Sequence, residues 1–491
     1  MRLTTSDATF LYTETASSPM HISSIILLDG ELDFESVYTH IESRLPLLPM
    51  YRKKLAQVPM NIAHPTWIDD ADFSLSNHVV DHVLESCSLD EAIAAAVKIN
   101  EPLLSRNQPL WMTHVIHGVE DKTLVLHQTH HCMIDGASGV ELMSIIYDFD
   151  PDGGSGPDVE DTWQADEAPN PVTLFNQALN ENMATLAKTN WSQQLAPPSA
   201  ERQQMMQKAA KVMTDFISKP VVTAPFNAGQ VGPRRELGWM KKSFDEIREI
   251  RRAFGGTIND VVLTVVSEAV SEYLAANNEE TKDQHMRVMC PVNVRTENQK
   301  GALGNRVSAI FPVLPAWRME TRQRLGQVVA ETNRIKTNQE AQALTFMQES
   351  AVEPWPIALW PTQLVGTPLD PTRLAAMAPA PVISNALPSW GRRPPNIGYN
   401  FTCTNVPGAQ VPQYLCGKEV TDQIGLLILN GNIGFSVTIL SYNKTLFFGF
   451  ICEPRLLPDI QAVASSAERA FDTLVTEARI HQKEIQMEPS A

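Results

Sequence analysis

The stretch DFDPDGGSGPDVEDTWQADEAPNP, positions 148–171, limits what this chain can fold into more than any other segment. Its glycines and prolines can neither sustain a helix nor sit in a central strand, and its acidic side chains favour water. It reads as a solvated linker. The 491 residues it divides are too many for one hydrophobic core, since cores stop growing near about 250–300 residues. The expectation is an N-terminal half over 1–150, a linker with connecting helices over 151–233, and a C-terminal half over 234–491.

Both halves alternate strand-like and helix-like text. HISSIILLDG (21–30) is a strand closed by an Asp-Gly turn, and KTLVLHQTHH (122–131) is another. Phe34, Val37, Ile41 and Leu45 recur at helical spacing, and LDEAIAAAVKIN (89–100) is a second helix. From 172 to 219 the text is mostly helical, interrupted at Pro197-Pro198, as suits helices that tie two halves together. Beyond Arg234, FDEIREIRRAF (244–254) is a helix stopped by Gly255-Gly256. In TINDVVLTVVSEAVSEYLAA (257–276) Thr257 caps a helix and Asp260 answers three residues on, a capping box. MRVMCPVNVR (286–295) and RVSAIFPVLP (306–315) read as strands, while 354–395 is proline-rich and carries no assignable pattern. The segment 425–453 reads as a three-stranded meander, and 459–479 as a closing helix. This alternation predicts an α/β fold of two halves.

Charge and cysteine usage exclude several functions. With 39 basic against 56 acidic side chains the chain carries −17, which repels a phosphate backbone and makes nucleic acid a poor partner. Six scattered cysteines with no CxxC pair point to a reducing compartment rather than a disulfide or zinc framework. No apolar run approaches the roughly 18–20 residues of a membrane span. The start has no secretory signal pattern. A cytoplasmic location is therefore expected, with peripheral contact to the inner membrane or a lipid-droplet surface left open.

LHQTHHCMIDGASG (126–139) places three histidines within five residues, then one aspartate, then glycine. Three readings compete. His127, His130, His131 and Asp135 are competent metal ligands, but alternation along a strand sends His130 away from the face His127 and His131 share. A structural turn at Asp135-Gly136 would let the imidazoles satisfy local backbone. A catalytic base on a tight loop would use an imidazole that takes a proton near neutral pH, worth about 10²–10⁴-fold in rate. Cys132 is a fourth candidate, as a nucleophile, but period two turns it from the face of His131.

His130-His131, three residues, then Asp135-Gly136 resembles the HHxxxDG motif of the CoA-dependent acyltransferase superfamily. Further stretches narrow the resemblance: SDATFLYTETASSPMHI (6–22), PLW (109–111), PFN (225–227), GGTINDVVLTVV (255–266), PVNVR (291–295), GNRVSAIFPVLP (304–315) and TNVPGAQVP (404–412). In this order, over essentially the whole chain, they look like the bacterial wax ester synthase/diacylglycerol acyltransferase family. The resemblance implies two chloramphenicol-acetyltransferase-like halves with mixed sheets, a helical crossover linker, and an active-site tunnel between them. It implies transfer of a long-chain fatty acyl group from acyl-CoA to diacylglycerol or to a long-chain alcohol. Acyl-CoA is then a substrate, and neither a cofactor nor a metal is expected.

By the same resemblance His131 is the general base, His130 its close support, and Asp135 with Gly136 the shapers of the loop. Arg295 is a candidate partner for Asp135. The thioester carbonyl becomes an oxyanion and needs donors. Asn259 and Asp260 stand at a helix start, where N–H groups and the dipole favour negative charge, although both also suit simple capping. Trp111 lies in the stretch that flanks the acyl site in the family, and equally suits a buried strand start. Arg234 and Arg306 are candidate contacts for the CoA phosphates. Two departures from the family pattern stand out: Glu453 where an aspartate is usual, and Ala409-Gln410 where a proline is common. The alternatives are another HHxxxDG acyltransferase with a different hydroxyl or amine acceptor, and an idle acyl-CoA- or lipid-binding protein. Release of free CoA separates the last from an enzyme.

Overall fold

The computed structural model describes residues 1–134, 136–153, 159–188, 199–219, 221–293, 307–350, 396 and 398–487. The N-terminal half is built on β1 (His21–Asp29), β4 (Val79–Cys87), β5 (Trp111–Val119) and β6 (Lys122–His130), with the small hairpin of β2 (Lys53–Ala56) and β3 (Thr66–Asp69) at its side. Strands β1, β6 and β5 run antiparallel, and β4 joins β5 in parallel. Alternation decides the two faces. Ile25, Leu27, Leu124 and Leu126 point to one side, under α3 (Leu89–Ile99). Ile26, Leu28 and Val125 point to the other, beneath α2 (Phe34–Arg44) and α4 (Gly136–Ile146). The start of α3 is a capping box between Ser88 and Glu91.

The C-terminal half holds a seven-stranded sheet of β7 (Glu236–Ser243), β8 (His285–Asn293), β9 (Val307–Ile310), β10 (Val313–Pro315), β11 (Phe401–Pro407), β14 (Phe435–Tyr442) and β15 (Thr445–Cys452). Its spatial order is β10-β8-β11-β14-β15-β7, with β9 paired to β8. The expected strand over 306–315 is two strands instead. They break at Phe311-Pro312, because a proline nitrogen cannot donate to the ladder; the Pro312 carbonyl still accepts from the Val288 amide at 3.0 Å. Three helices pack on one another and on this sheet: α7 (Phe244–Phe254), α8 (Ile258–Ala276) and α11 (Ile460–Met487). The capping box of Thr257 and Asp260 opens α8, as its spacing predicts, and Gly255 and Gly256 turn the chain into it with φ of +78° and +82°. The proline-rich 354–395 lies outside the described residues.

The meander expected over 425–453 is a two-stranded hairpin, β14–β15. The strand before it, β13 (Lys418–Leu426), leaves this sheet and, with the short β12 (Tyr414–Leu415), joins the N-terminal one. It pairs antiparallel with β1, Ser24 opposite Gly425 and Ile26 opposite Gln423. Sequence periodicity could mark the strand but not its partner, because pairing is nonlocal. The halves also share a core. Ile25, Ala92, Ile116 and Leu124 of the first pack with Leu237, Ile424 and Ile451 of the second.

The acidic stretch 148–171 is exposed over most of its described residues, as its composition suggests, but it is tied to the first half through Asp148 and Asp161. Asp148 is buried and paired with Arg44, and exchanges backbone hydrogen bonds with Tyr414. Asp161 accepts from the Arg52 guanidinium at 2.8 Å, and that guanidinium stacks over Trp163. Buried arginines distant in sequence hold this segment against the first half. The helices after it divide their attachments: α5 (Pro171–Lys188) buries Leu174 and Ala178 on the first half, where Ala178 packs beside Val58 and Ala63. The second, α6 (Ala200–Ser218), leans on α10 (Glu340–Ser350) of the second half. Below it, Arg287 stacks on Phe216 and donates to the Lys219 carbonyl at 2.7 Å.

Where β13 crosses the second sheet the backbones nearly touch. A Cβ on Gly449 would lie 2.5 Å from the Gly425 carbonyl oxygen, with no flexible atom to yield. Gly449→Ala is therefore expected to cost about 1–3 kcal/mol. Gly326, inside α9 (Thr321–Asn338) with open space around it, is the control: Gly326→Ala should gain about 0.5–1 kcal/mol. Urea unfolding midpoints of the two variants must move in opposite directions; equal shifts would refute the close approach.

Candidate active site

The histidine motif begins where β6 ends. His130 closes the strand by donating its amide to the Leu110 carbonyl at 2.9 Å. A turn follows, with Met133 N–H returning to the His130 carbonyl, and α4 starts at Gly136. The His131 amide is held by the Met20 carbonyl at 2.8 Å, just before β1. Its ring stacks face to face on Phe10 of α1 (Thr5–Thr13), centroids 4.0 Å apart and planes 5° from parallel. Phe10 and His131 are both only half-buried, and both line one cavity.

His131 opens into a cavity of about 650 Å³ between the two halves. Ser24 and Ile26 of β1 and Val140 and Met143 of α4 line one side. Thr402, Thr404 and Val406 of β11, with Thr438 and Leu440 of β14, line the other, and Gly425 of β13 lies beside Ser24. Among the described residues its lining holds no aspartate, glutamate, lysine or arginine. His127 shares this face, as alternation requires, but is fully engaged: it bonds Thr113 through Nδ1 at 3.0 Å and Tyr147 through Nε2 at 2.8 Å. Burial pushes its imidazole down to about 3, so it stays neutral. His127 is thus a packed polar wall, and His131 is the partly exposed imidazole of the pair.

His130 points to the opposite face and is 0% exposed. Its Nδ1 accepts from the Cys132 amide at 3.1 Å, which leaves the ring proton on Nε2. That nitrogen lies 3.2 Å from Glu14 Oε1, close but poorly aligned for a hydrogen bond. Burial alone would raise the Glu14 carboxyl, but His130, Arg106 and the Met20 amide overcome it and hold the group at about 2. Cys132 is buried, its thiol pushed well above the usual range mainly by that burial, which removes it as a nucleophile. Among the described residues no group of three His, Cys, Asp or Glu side chains is placed to hold a metal ion.

The other expected residues scatter. Trp111 is 1% exposed, stacked between Tyr51 and His78, with Nε1 donating to the Tyr51 carbonyl at 2.8 Å; it stiffens the first core and does not line the cavity. Asp260 is buried as a helix lock, accepting from Thr257 and, at 2.7 Å, from the Thr332 hydroxyl. Asn259 is exposed and accepts from Asn405 of β11; neither lines the cavity, since alternation turns Asn405 to the face opposite the lining residues Thr404 and Val406. Arg234 is exposed outside the lining. Asp135, Arg295 and Arg306 lie outside the described residues. The two departures are local: Glu453 is buried and accepts from Arg455 at 2.9 Å, and Gln410 donates to the Gly408 carbonyl at 3.0 Å. Phe10, Glu14 and Arg106 carry no signal in periodicity or spacing, since each acts only once α1 docks on the turn.

Comparison with known proteins adds the following. Residues 3–262 match the wax ester synthase/diacylglycerol acyltransferase catalytic domain, and residues 303–475 match the WS/DGAT C-terminal domain. The tgs1 protein of Mycobacterium tuberculosis (strain H37Rv), which bears the name of a diacylglycerol O-acyltransferase, is 25% identical over 480 residues, 96% of this chain and 95% of its own. A second protein of that strain, similarly named, is 26% identical over 493 residues, 96% of this chain and 90% of its own. Among solved structures, the wax ester synthase/diacylglycerol acyltransferase from Marinobacter aquaeolei VT8 superposes with a TM-score of 0.63 at 18% identity, covering 98% of this chain and all of its own. The starter condensation domain of rhizomide synthetase superposes at 0.55 and 13%, covering 97% and 92%. Both have the same fold of two α/β halves.

The histidines behind the site set how stability responds to acid. His21 and His114 are pushed down to about 4 and His127 to about 3, each chiefly by burial, against an ordinary 6.5. Between those values the unfolded chain binds protons that the folded chain refuses, so stability rises with pH there. It is full above about 6.5 and lost as pH falls toward about 4. Glu14, ordinarily 4.5 and held at about 2, adds a loss that starts below 4.5. Urea midpoints should be level from pH 7 to 9 and fall steadily from 6.5 to 4, by on the order of a few kcal/mol in all; a level profile down to pH 5 would contradict this burial.

Proposed function

The chain belongs to the wax ester synthase/diacylglycerol acyltransferase family and is an acyl-CoA-dependent O-acyltransferase, and from that premise we propose that His131 is its general base. The substrates proposed are a long-chain acyl-CoA and, as acceptor, diacylglycerol or a long-chain alcohol. The supporting observation is a partly exposed imidazole facing an uncharged cavity between the halves. Such a cavity solvates neutral hydrocarbon well and an ionic acceptor poorly.

The reaction follows from these groups. Nε2 or Nδ1 of neutral His131 takes the hydroxyl proton as the acceptor oxygen bonds to the thioester carbonyl carbon. The carbonyl π electrons move to oxygen, giving a tetrahedral oxyanion. Collapse re-forms the carbonyl, breaks the carbon–sulfur bond and releases the CoA thiolate, which recovers the proton from the His131 imidazolium. The product ester and free CoA leave, and the enzyme is regenerated. No acyl-enzyme is needed, consistent with the inert Cys132. Phe10 keeps the base flat against α1, and His130 with Asp135 and Gly136 shapes the loop. Asn259 and the first amides of α8 are the donors proposed for the oxyanion. Asp260 and Trp111 serve from behind.

Both proposed acceptors partition into lipid, so the protein is proposed to work in peripheral contact with a membrane or lipid-droplet surface. Among the described residues no single helix is long and apolar enough to cross a membrane. The bent pair of α7 and α8 meets that test only by composition, and α8 is largely buried in the second core.

The test is thiol release from palmitoyl-CoA by purified protein, with diacylglycerol and hexadecanol as separate acceptors. Acceptor-dependent release is expected, reduced about 10²–10⁴-fold in His131→Ala. Equal release by the variant removes His131 as base. Acyl-CoA binding without release under either acceptor would favour a binding protein.

A further inference from the structure

The loop between α1 and β1 contacts both histidines of the motif, and one side chain makes the connection. Glu14 follows the last residue of α1, with its side chain 2% exposed. Its Oε1 accepts from the Met20 amide at 3.0 Å, and the Met20 carbonyl in turn accepts from the His131 amide at 2.8 Å. The same oxygen lies 3.2 Å from His130 Nε2. Its Oε2 accepts from Arg106 at 2.8 Å, while Arg106 also donates to the Leu11 carbonyl at 2.7 Å and so ties the carboxylate to α1. Arg235, from the second half, donates to the Ser17 carbonyl at 3.0 Å and holds the loop from the other side.

We infer that Glu14, clamped by Arg106, is a positioning residue for the base: it locks His130 as the Nε2–H tautomer and fixes, through Met20, the backbone from which His131 projects. The inference rests on His131 being the base. It assigns Glu14 no contact with substrate. The logic is geometric. A turn that presents an imidazole must be stiff, because a displacement of about 1 Å at a reacting group costs on the order of 10²-fold in rate. Here the turn is closed on one side by His130 Nδ1 accepting from Cys132, a bond that exists only in the Nε2–H tautomer. A carboxylate facing Nε2 favours that tautomer, since it can accept and cannot donate. At 3.2 Å the negative carboxylate also attracts the N–H dipole electrostatically, without needing an aligned hydrogen bond. The depressed proton affinity of Glu14 keeps it ionised throughout the working range. Phe10 belongs to the same unit: the helix whose end carries Glu14 also carries the ring stacked on His131.

The experiment compares Glu14→Ala, Glu14→Gln and Glu14→Asp in the full chain, with palmitoyl-CoA and hexadecanol as substrates. Glu14→Ala should lower kcat about 10²-fold while KM for either substrate changes less than about threefold. Glu14→Gln keeps one acceptor oxygen but loses the charge and should fall about tenfold; Glu14→Asp should recover activity toward wild type. Long-range ¹H–¹⁵N spectra of histidine-labelled protein supply a readout that general destabilisation would not move. Wild type should show His130 as a single Nε2–H tautomer, and Glu14→Gln should show a mixture. Should Glu14→Ala fail to fold, the isosteric Gln variant carries both readouts. A folded Glu14→Ala or Glu14→Gln variant with kcat within twofold of wild type, or an unchanged His130 tautomer in Glu14→Gln, overturns the inference. An active His131→Ala overturns the base assignment instead, and the tautomer readout then judges Glu14 alone.

Discussion

Everything at the centre of this molecule depends on one strand pairing across the boundary between its halves. β13 is made by the second half but hydrogen-bonds to β1 of the first, residue by residue from Ser23 to Leu28. Backbone ladders of this kind are directional and register-specific, so the two sheets are set at one distance and one angle. The space left between them is the cavity, walled by β1, β6 and β13 of the first sheet and by β11 and β14 of the second. Shared apolar packing among Ile25, Leu237 and Ile451 reinforces the arrangement from behind.

Within that frame the chemistry is a matter of which face each histidine takes. Three neighbouring imidazoles have three environments because strand alternation and a single turn separate them. His127 is desolvated and hydrogen-bonded at both nitrogens, His130 is sealed against a carboxylate, and His131 meets the cavity. Only the last combines rigidity with access. The aromatic stack with Phe10 and the backbone anchor at Met20 supply the rigidity without occupying the open side.

Much of this was legible in the residues. The capping box at Thr257 and Asp260, the glycine stop at Gly255-Gly256, the strand leading to His130 and the divergence of His130 from His131 follow from local rules that the tertiary structure did not overrule. The HHxxxDG motif pointed to a superfamily, and the ordered stretches from 6–22 to 404–412 narrowed it to the family, which the matched catalytic and C-terminal domains bear out. What local rules missed is nonlocal. The partner of β13 lies some 400 residues away in sequence. The attachments of the acidic stretch were not foreseen because Arg44 and Arg52, which hold two of its carboxylates, are about 100 positions distant. The split between β9 and β10 was signalled by Pro312, but a longer apolar run masked it. Glu14 looked like any polar residue after a helix.

The strand that joins the halves is also a wall of the cavity, and this has a consequence for traffic. A cleft hinged at one edge can open sideways and take in a bulky substrate broadside. Here such opening would mean unzipping β13 from β1 and parting a shared core, a rearrangement close in scale to unfolding. Long hydrocarbon chains must therefore travel lengthwise, like thread through a bead, and the finished ester must leave the same way. Selectivity then falls on cross-section more than on length: a slender chain of any extent can slide, and the girth of the acceptor has to match the bore.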